Sequence, residues 1–408
     1  MKIMGNILLT LALLACLACD DVKEYPWNDA WNGTEQEAPE DSETPGDSEN
    51  PDDSQSPDDP ETPADPEDPE TPADPETPEN PETPADPEEP IEPDQPEEPE
   101  TPEEPEAPAD RVPAGWTDVT SSYGSLPSYI RILKSPSELQ GKNAIAYVAE
   151  ADMSQAQWDV WSVKIKENGG NLTEATDDSF KTPSEVYADA QSSVIINGGY
   201  FYWGGSNRYT ASLAVSNSEV LAYNIGYEYD DNGKTCYPAR AVFRESSGCA
   251  FDACWTYTNW DRTTWMYPAP SSDLTKKPSA DFPAGSATFE ARTAIGGGPV
   301  LIDEGEFVNS IDQEMFSGIS PDTDQPRTAI GVTDDNRLFF FVCEGREMTS
   351  GVKGLTTEDV ANVLLELGCV EAINLDGGGS SCMLVNGKET IKVSDGSQRA
   401  VASTVMLK

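Results

Sequence analysis

Thr356-Thr357-Glu358-Asp359-Val360-Ala361-Asn362-Val363-Leu364-Leu365-Glu366-Leu367-Gly368-Cys369-Val370-Glu371-Ala372-Ile373-Asn374-Leu375-Asp376-Gly377-Gly378-Gly379-Ser380-Ser381 is one continuous stretch holding three elements. Thr356 and Asp359 have the spacing of a helix N-terminal cap. Val360, Val363, Leu364 and Leu367 fall at i, i+3, i+4 and i+7, a single apolar helix face, and Gly368 suits the helix C-terminus. Ala372-Ile373-Asn374-Leu375 then reads as a buried strand delivering Asp376 into a glycine run. Glycines in that place let backbone approach a ligand closely and tolerate positive φ, and successive N–H groups can form an anion nest. The plainer alternative is a tight turn.

The same layout occurs upstream. Thr182-Pro183-Ser184-Glu185 is a capping box with proline at the first helical position, predicting a short helix to about Ala190. Val194-Ile195-Ile196 reads as a buried strand ending in Asn197-Gly198-Gly199-Tyr200-Phe201. A second repetition is identical in sequence: Arg292-Thr293-Ala294-Ile295-Gly296 recurs as Arg327-Thr328-Ala329-Ile330-Gly331. Either arginine can be a solvated edge residue; two copies favour convergent arginines, suited to fork-like recognition of phosphate or carboxylate. Leu338-Phe339-Phe340-Phe341-Val342 is a further strand, delivering Glu344 and Arg346. Strand-like runs at 145–149 and 161–165 and a hairpin pattern from Leu213 to Ala222 complete the reading. It is a mixed α/β, β-rich single globular domain over 112–408, with a central sheet and a few helices.

Composition narrows the chemistry. The chain has 408 residues, a formal charge of −50 and no histidine. Ser-His-Asp and Cys-His triads and HExxH zinc sites are therefore excluded. Catalysis must rest on carboxylates, arginines, hydroxyls, amides, backbone N–H groups or an oxygen-held metal. There is no Lys/Arg-rich run, so no nucleic-acid partner is expected. Trp255, Tyr257, Trp260, Trp265 and Tyr267 form an aromatic cluster, either a sugar-stacking platform or core filling. Cys249 and Cys254 are the plausible local disulfide among Cys236, Cys249, Cys254, Cys343, Cys369 and Cys382; buried free thiols are the alternative. No CxxC is present.

The charge is concentrated upstream of the domain. Residues 35–110 hold 32 Asp and Glu and no Lys or Arg. Proline recurs at every third position from Pro57 to Pro108, which places the prolines on one edge of a polyproline II helix. At about 3.1 Å per residue the proline repeat reaches roughly 160 Å, and its acids repel one another into extension. We read 20–111 as an acidic, disordered, polyproline-type stalk. Before it, Lys2, the apolar run Ile7–Leu14 and Leu13-Leu14-Ala15-Cys16-Leu17-Ala18-Cys19 read as a lipoprotein signal peptide over 1–19. Cys19, or Cys16, is the expected lipidated residue. The expected partner is a membrane, through the lipid anchor, and the expected location the outer membrane, facing the cell surface or periplasm.

Asn197-Gly198-Gly199-Tyr200-Phe201, the two Arg-Thr-Ala-Ile-Gly segments, Cys343-Glu344-Gly345-Arg346-Glu347 and Asn374-Leu375-Asp376-Gly377-Gly378-Gly379-Ser380-Ser381 together resemble the phosphodiester glycosidase family. The resemblance covers roughly 140–408. Residues 225–288 match no part of it and read as an insertion, and Glu344 stands where that family typically has Asp. The resemblance implies a hydrolase that removes a sugar such as N-acetylglucosamine from a sugar-1-phosphodiester in a phosphate-linked glycan. In that role Arg292, Arg327 and Arg346 would hold the phosphate. Asp376, and second Glu344, would assist at the anomeric carbon. Asn197 and Asn374 would bond sugar hydroxyls or orient the acid. Gly198 would lie in the substrate turn, and Gly377, Gly378 and Ser380 would offer N–H groups to phosphate. No definite cofactor is implied; a divalent cation near Asp376 is the alternative, with Asp376 as its ligand, or else as a turn cap. The rival reading is a glycan-binding surface lipoprotein without turnover.

Overall fold

A computed structural model describes residues 112–164, 166–168, 171–173, 179–204, 207–259 and 261–408. The signal peptide, the lipobox cysteines, the stalk and Trp260 lie outside the described residues.

Both capping boxes form. Helix α1 (Pro183–Ala190) starts at Thr182, whose hydroxyl accepts the Glu185 N–H while the Glu185 side chain bonds the Thr182 N–H. Helix α2 (Thr357–Glu366) starts in the same way from Thr356 and Asp359. Its Val360, Val363 and Leu364 are buried, and Gly368 follows with φ +90°, as a helix end requires. These are the only α-helices among the described residues.

The named strands among the described residues pair antiparallel throughout, and three short 3-10 turns complete the regular structure. The expected single central sheet is replaced by three larger ones. The first has eight strands, with Ala146–Asp152, Arg337–Cys343, Arg327–Thr333, Cys369–Asn374 and Val300–Asp303 adjacent in that order. The second has seven, in which Ala214–Ser216, Thr293–Gly296, Arg240–Glu245 and Phe251–Thr258 are neighbours. The third has five, with Met383–Val385, Val194–Asn197, Ser403–Leu407 and Trp158–Ser162 neighbours. The physical reason lies in the continuous apolar runs. Strands such as Leu338–Val342 are apolar on both faces and need a cover on each. Phe339 and Phe341 pack toward Val360, Val363 and Leu364 of α2. Phe340 and Val342 join the inner core with Ile196, Phe243, Trp255, Ile330, Ile373 and Val405, drawn from all three sheets.

Residues 225–288 are no appendage. They supply Arg240–Glu245 and Phe251–Thr258, which pair along their length and place Val242, Phe243, Cys254 and Trp255 in the core. The hairpin Ala214–Ala222 forms, with Asn217 and Ser218 at φ +49° and +64°, the left-handed pair that a two-residue hairpin turn favours. Of the aromatic cluster's described residues, Trp255, Tyr257 and Tyr267 are buried and Trp265 packs against the inner core, the core-filling alternative. Cys249 and Cys254 are not joined, and all six described cysteines are free thiols. Cys254 lies inside a central strand opposite Val242, whereas Cys249 is exposed in the preceding turn.

Candidate active site

Asp376 is held at both ends of its own peptide units. Leaving the strand Cys369–Asn374, the Leu375 N–H bonds the Thr328 carbonyl and the Asp376 N–H bonds the Gly198 carbonyl. The Asp376 carbonyl in turn accepts from Asn197 Nδ2 at 2.6 Å. Asn197 is fully buried, and its Oδ1 also accepts the Thr328 hydroxyl at 2.8 Å and the Cys382 N–H at 3.1 Å. Its amide is thereby committed to the Asp376 turn, Thr328 and Cys382, away from solvent. Asn374, also buried, does comparable work: its Nδ2 lies 2.8 Å from the Tyr200 hydroxyl and 3.1 Å from the Gly298 carbonyl. Burial pushes the Tyr200 phenol well above its ordinary pKa, so it stays protonated. Gly198 is committed through its backbone, its N–H bonding the Ser403 carbonyl.

The glycine run is less open than an anion nest. The Gly378 N–H bonds the Pro326 carbonyl and the Ser380 N–H bonds the Gly377 carbonyl. The Gly377 N–H and the Ser380 side chain instead turn to the Asp376 carboxylate. This half-buried carboxyl is densely surrounded, and burial is the largest influence on it. Ser380, Arg399 and the Gly377 N–H pull its pKa down, while Asp395 adds to the upward push. The outcome is a carboxyl raised to about 6, suited to proton transfer near neutral pH.

Two guanidinium groups reach this turn. Arg346 sits at φ +53° in a loop closed by its N–H to the Lys353 carbonyl. Its Nε bonds Gln325 Oε1 at 3.1 Å, and its side chain lies over Gly378. Arg399 bonds Asp395 through Nε at 2.9 Å and Nη2 at 2.7 Å, and its Nη1 is 3.5 Å from the Ser380 hydroxyl. Asp395 faces Arg346 as well, at 3.9 Å. Gly379 makes the arrangement possible, since a Cβ there would overlap Arg399 Nη2 and both Asp395 oxygens.

The other two expected arginines part company. Arg327 starts its strand beside Gly377, but it is 2% exposed and its guanidinium bonds the carbonyls of Leu355, Ile319, Ser320 and Thr323. It ties loops beneath the site. Arg292 is not brought there. The Gly296 end of its strand approaches the Asp376 region, with Gly298 N–H bonded to the Asn374 carbonyl, and Arg292 lies four residues away, about 13 Å along the strand. It pairs there with Glu245 at 3.3 Å. Glu344 is 2% exposed; its Oε2 accepts the Lys392 N–H at 3.2 Å, and its Oε1 has no partner among the described residues.

A divalent cation does not fit this residue set. Among the described residues no three carboxylate or cysteine groups gather to hold a metal, and the two acids present already face Arg346 and Arg399. Sequence reasoning missed Arg399, Asp395 and Tyr200 as site residues. Tyr200 stood in a motif already singled out, while Asp395-Gly396-Ser397-Gln398-Arg399 carried only a turn signal and an arginine before an apolar strand.

Residues 270–408 match the model of the phosphodiester glycosidase family. Over 82 residues the chain is 42% identical to the SPbeta prophage-derived uncharacterized protein YomE of Bacillus subtilis (strain 168), a span of 20% of this chain and 12% of that protein. The chain thus spans about an eighth of the length of that curated relative. Among solved structures, a hypothetical protein from Synechocystis aligns with a TM-score of 0.45 at 16% identity, over 73% of this chain and 69% of its own. The zebrafish N-acetylglucosamine-1-phosphodiester alpha-N-acetylglucosaminidase catalytic domain, auto-inhibited by pro-peptide, aligns with a TM-score of 0.46 at 18% identity, over 72% and 87%.

Proposed function

We propose that this domain hydrolyses a sugar-1-phosphodiester, releasing a sugar such as N-acetylglucosamine from a phosphate-linked glycan. The observation that carries the reading is the convergence on one glycine turn of a carboxyl raised to about 6 and two partly exposed arginines, 30% and 31% exposed. The family match over 270–408 supports the substrate class. Arg346 and Arg399 hold the phosphate. Water attacks the anomeric carbon and gives a proton to the Asp376 carboxylate. The bond from that carbon to the phosphate oxygen breaks with its electron pair, leaving a phosphomonoester. Arginines stabilise that leaving group without a strong general acid, which suits a chain with no histidine. Asn197, Asn374, Tyr200 and Arg327 position these groups; Glu344 lies under the loop that carries Arg346.

The test is a panel of sugar-1-phosphodiesters in ¹⁸O water. Free sugar carrying the label, lost on Asp376→Asn substitution, is the expected result. Label in the phosphate would mean a phosphodiesterase, and saturable binding without product would leave a glycan-binding protein. We further propose that lipidation at Cys19, or Cys16, anchors the chain to the outer membrane and that the 20–111 stalk holds the domain away from it. Metabolic labelling with a fatty acid, abolished by Cys19→Ser or Cys16→Ser, checks the anchor.

A further inference from the structure

Asp395 stands between the two arginines that face the Asp376 turn. Its Oδ2 takes two bonds from Arg399, at 2.9 and 2.7 Å, and its Oδ1 lies 3.9 Å from Arg346 Nη1. The three side chains are 30%, 31% and 33% exposed, a recessed patch that solvent still reaches. Exposed or half-exposed ion pairs add little to stability, so stability alone gives a weak account of a carboxylate bridging two guanidiniums beside a candidate catalytic acid. Its charge has a direct consequence for ligands. Arg346 and Arg399 would otherwise present two positive charges, the complement of a dianion. With Asp395 between them the trio presents one.

We infer that Asp395 sets the charge selectivity of this site, weakening its hold on the dianion of a phosphomonoester more than on the single negative charge of a phosphodiester. The inference rests on the proposed reading of Arg346 and Arg399 as the phosphate-holding pair. A phosphodiester carries one negative charge at all ordinary pH values, whereas a phosphomonoester gains its second near pH 6. Reaction thus places a second negative charge beside Asp395, which repels the phosphomonoester about twice as strongly as it repels the phosphodiester. Asp395 thereby favours substrate over product and drives release of the phosphomonoester. The Asp376 carboxylate, on the same turn, adds to this opposition whenever it is ionised.

The experiment compares dimethyl phosphate, a monoanion, with methyl phosphate at about pH 8, above the second phosphate pKa of about 6. Affinities of the full chain for both are read by ³¹P NMR titration. Asp395→Asn should shift the affinity ratio toward methyl phosphate by about tenfold or more, as removing one nearby charge implies. Asp395→Glu, which keeps the charge, should retain the wild-type ratio. Circular-dichroism melting checks that each variant is folded, and Asp395→Ser serves as the neutral variant if Asp395→Asn is not. An unchanged ratio in the folded neutral variant, with both anions binding, overturns the charge-setting role and leaves the phosphate site intact. If neither anion binds the wild type, the phosphate site itself is wrong and the role of Asp395 falls with it.

Discussion

Asp376 takes its proton affinity from crowding, and its position from Asn197 and Gly198, which bond its carbonyl and its N–H. Asp376→Asn keeps those backbone bonds and most of the side-chain volume, so the fold should persist while sugar release falls by about 10²–10⁴-fold. As a base the group works ionised. Wild-type kcat/KM should therefore rise with pH through about 6, the raised value of this carboxyl, and that limb should be absent from the residual activity of the variant. A pH profile that falls through this range would make Asp376 the acid instead. Gly379 gives a second test at this scale. A methyl group there would overlap the Arg399–Asp395 pair, so Gly379→Ala should displace both side chains and reduce turnover at least as far as Arg399→Ala does. Steady-state kinetics of the two variants, with melting curves to confirm folding, make the comparison.

Among elements, what was legible in the sequence was local. Capping boxes and an i, i+3, i+4, i+7 face act within a few residues, and both helices begin where those signals stand. Sheet membership depends on partners far along the chain. Nothing near Phe243 announces that its strand lies between Thr293–Gly296 and Phe251–Thr258. The identical Arg-Thr-Ala-Ile-Gly segments show the same limit, because their strands approach the site with opposite ends: Gly296 in one, Arg327 and Thr328 in the other. Arg399 reads locally like Arg292, and only its contact with the Asp376 turn separates them. Glu314 was equally unreadable. Fully buried, it accepts Trp255 Nε1–H at 2.9 Å and Ala241 N–H at 2.8 Å from the second sheet, and Val300 N–H at 3.0 Å from the first. Glu314→Gln sets an amide donor against one of these donors. The substitution should destabilise the domain by about 1–3 kcal/mol, measured by urea denaturation, while leaving the pH dependence of catalysis in place.

The pH response of the whole domain follows from carboxyls that folding makes harder to ionise. Glu371 joins the first two sheets, its oxygens accepting the Ala253 and Glu304 N–H groups, each at 3.1 Å. Burial, with Asp303 and Asp252 nearby, raises it to about 7 despite those bonds. Asp303 is raised as well, by burial and then by Glu304 and Asp252, and Asp376 stands at about 6. A carboxyl whose folded pKa exceeds its unfolded value stabilises the fold fully below the unfolded pKa and loses that contribution as pH rises through the folded one. Here the loss runs from about pH 4, near the unfolded carboxyl values, to about pH 7. Asp159 and Asp359 are lowered, with burial opposing their hydrogen bonds to Lys408 and Lys142. Their contributions are lost only at acid pH, below the ordinary carboxylate range. The domain should accordingly melt at a higher temperature at about pH 5.5 than at about pH 8. Glu371→Gln removes a carboxyl raised to about 7, so it should reduce that difference. It should leave the kinetic limb near pH 6 unchanged, because Glu371 belongs to the junction between sheets and Asp376 to the turn. Calorimetric melts of both proteins across this range separate the two carboxyls; an equal pH slope in the variant would show that Glu371 ionises in the fold as freely as it does in the unfolded chain.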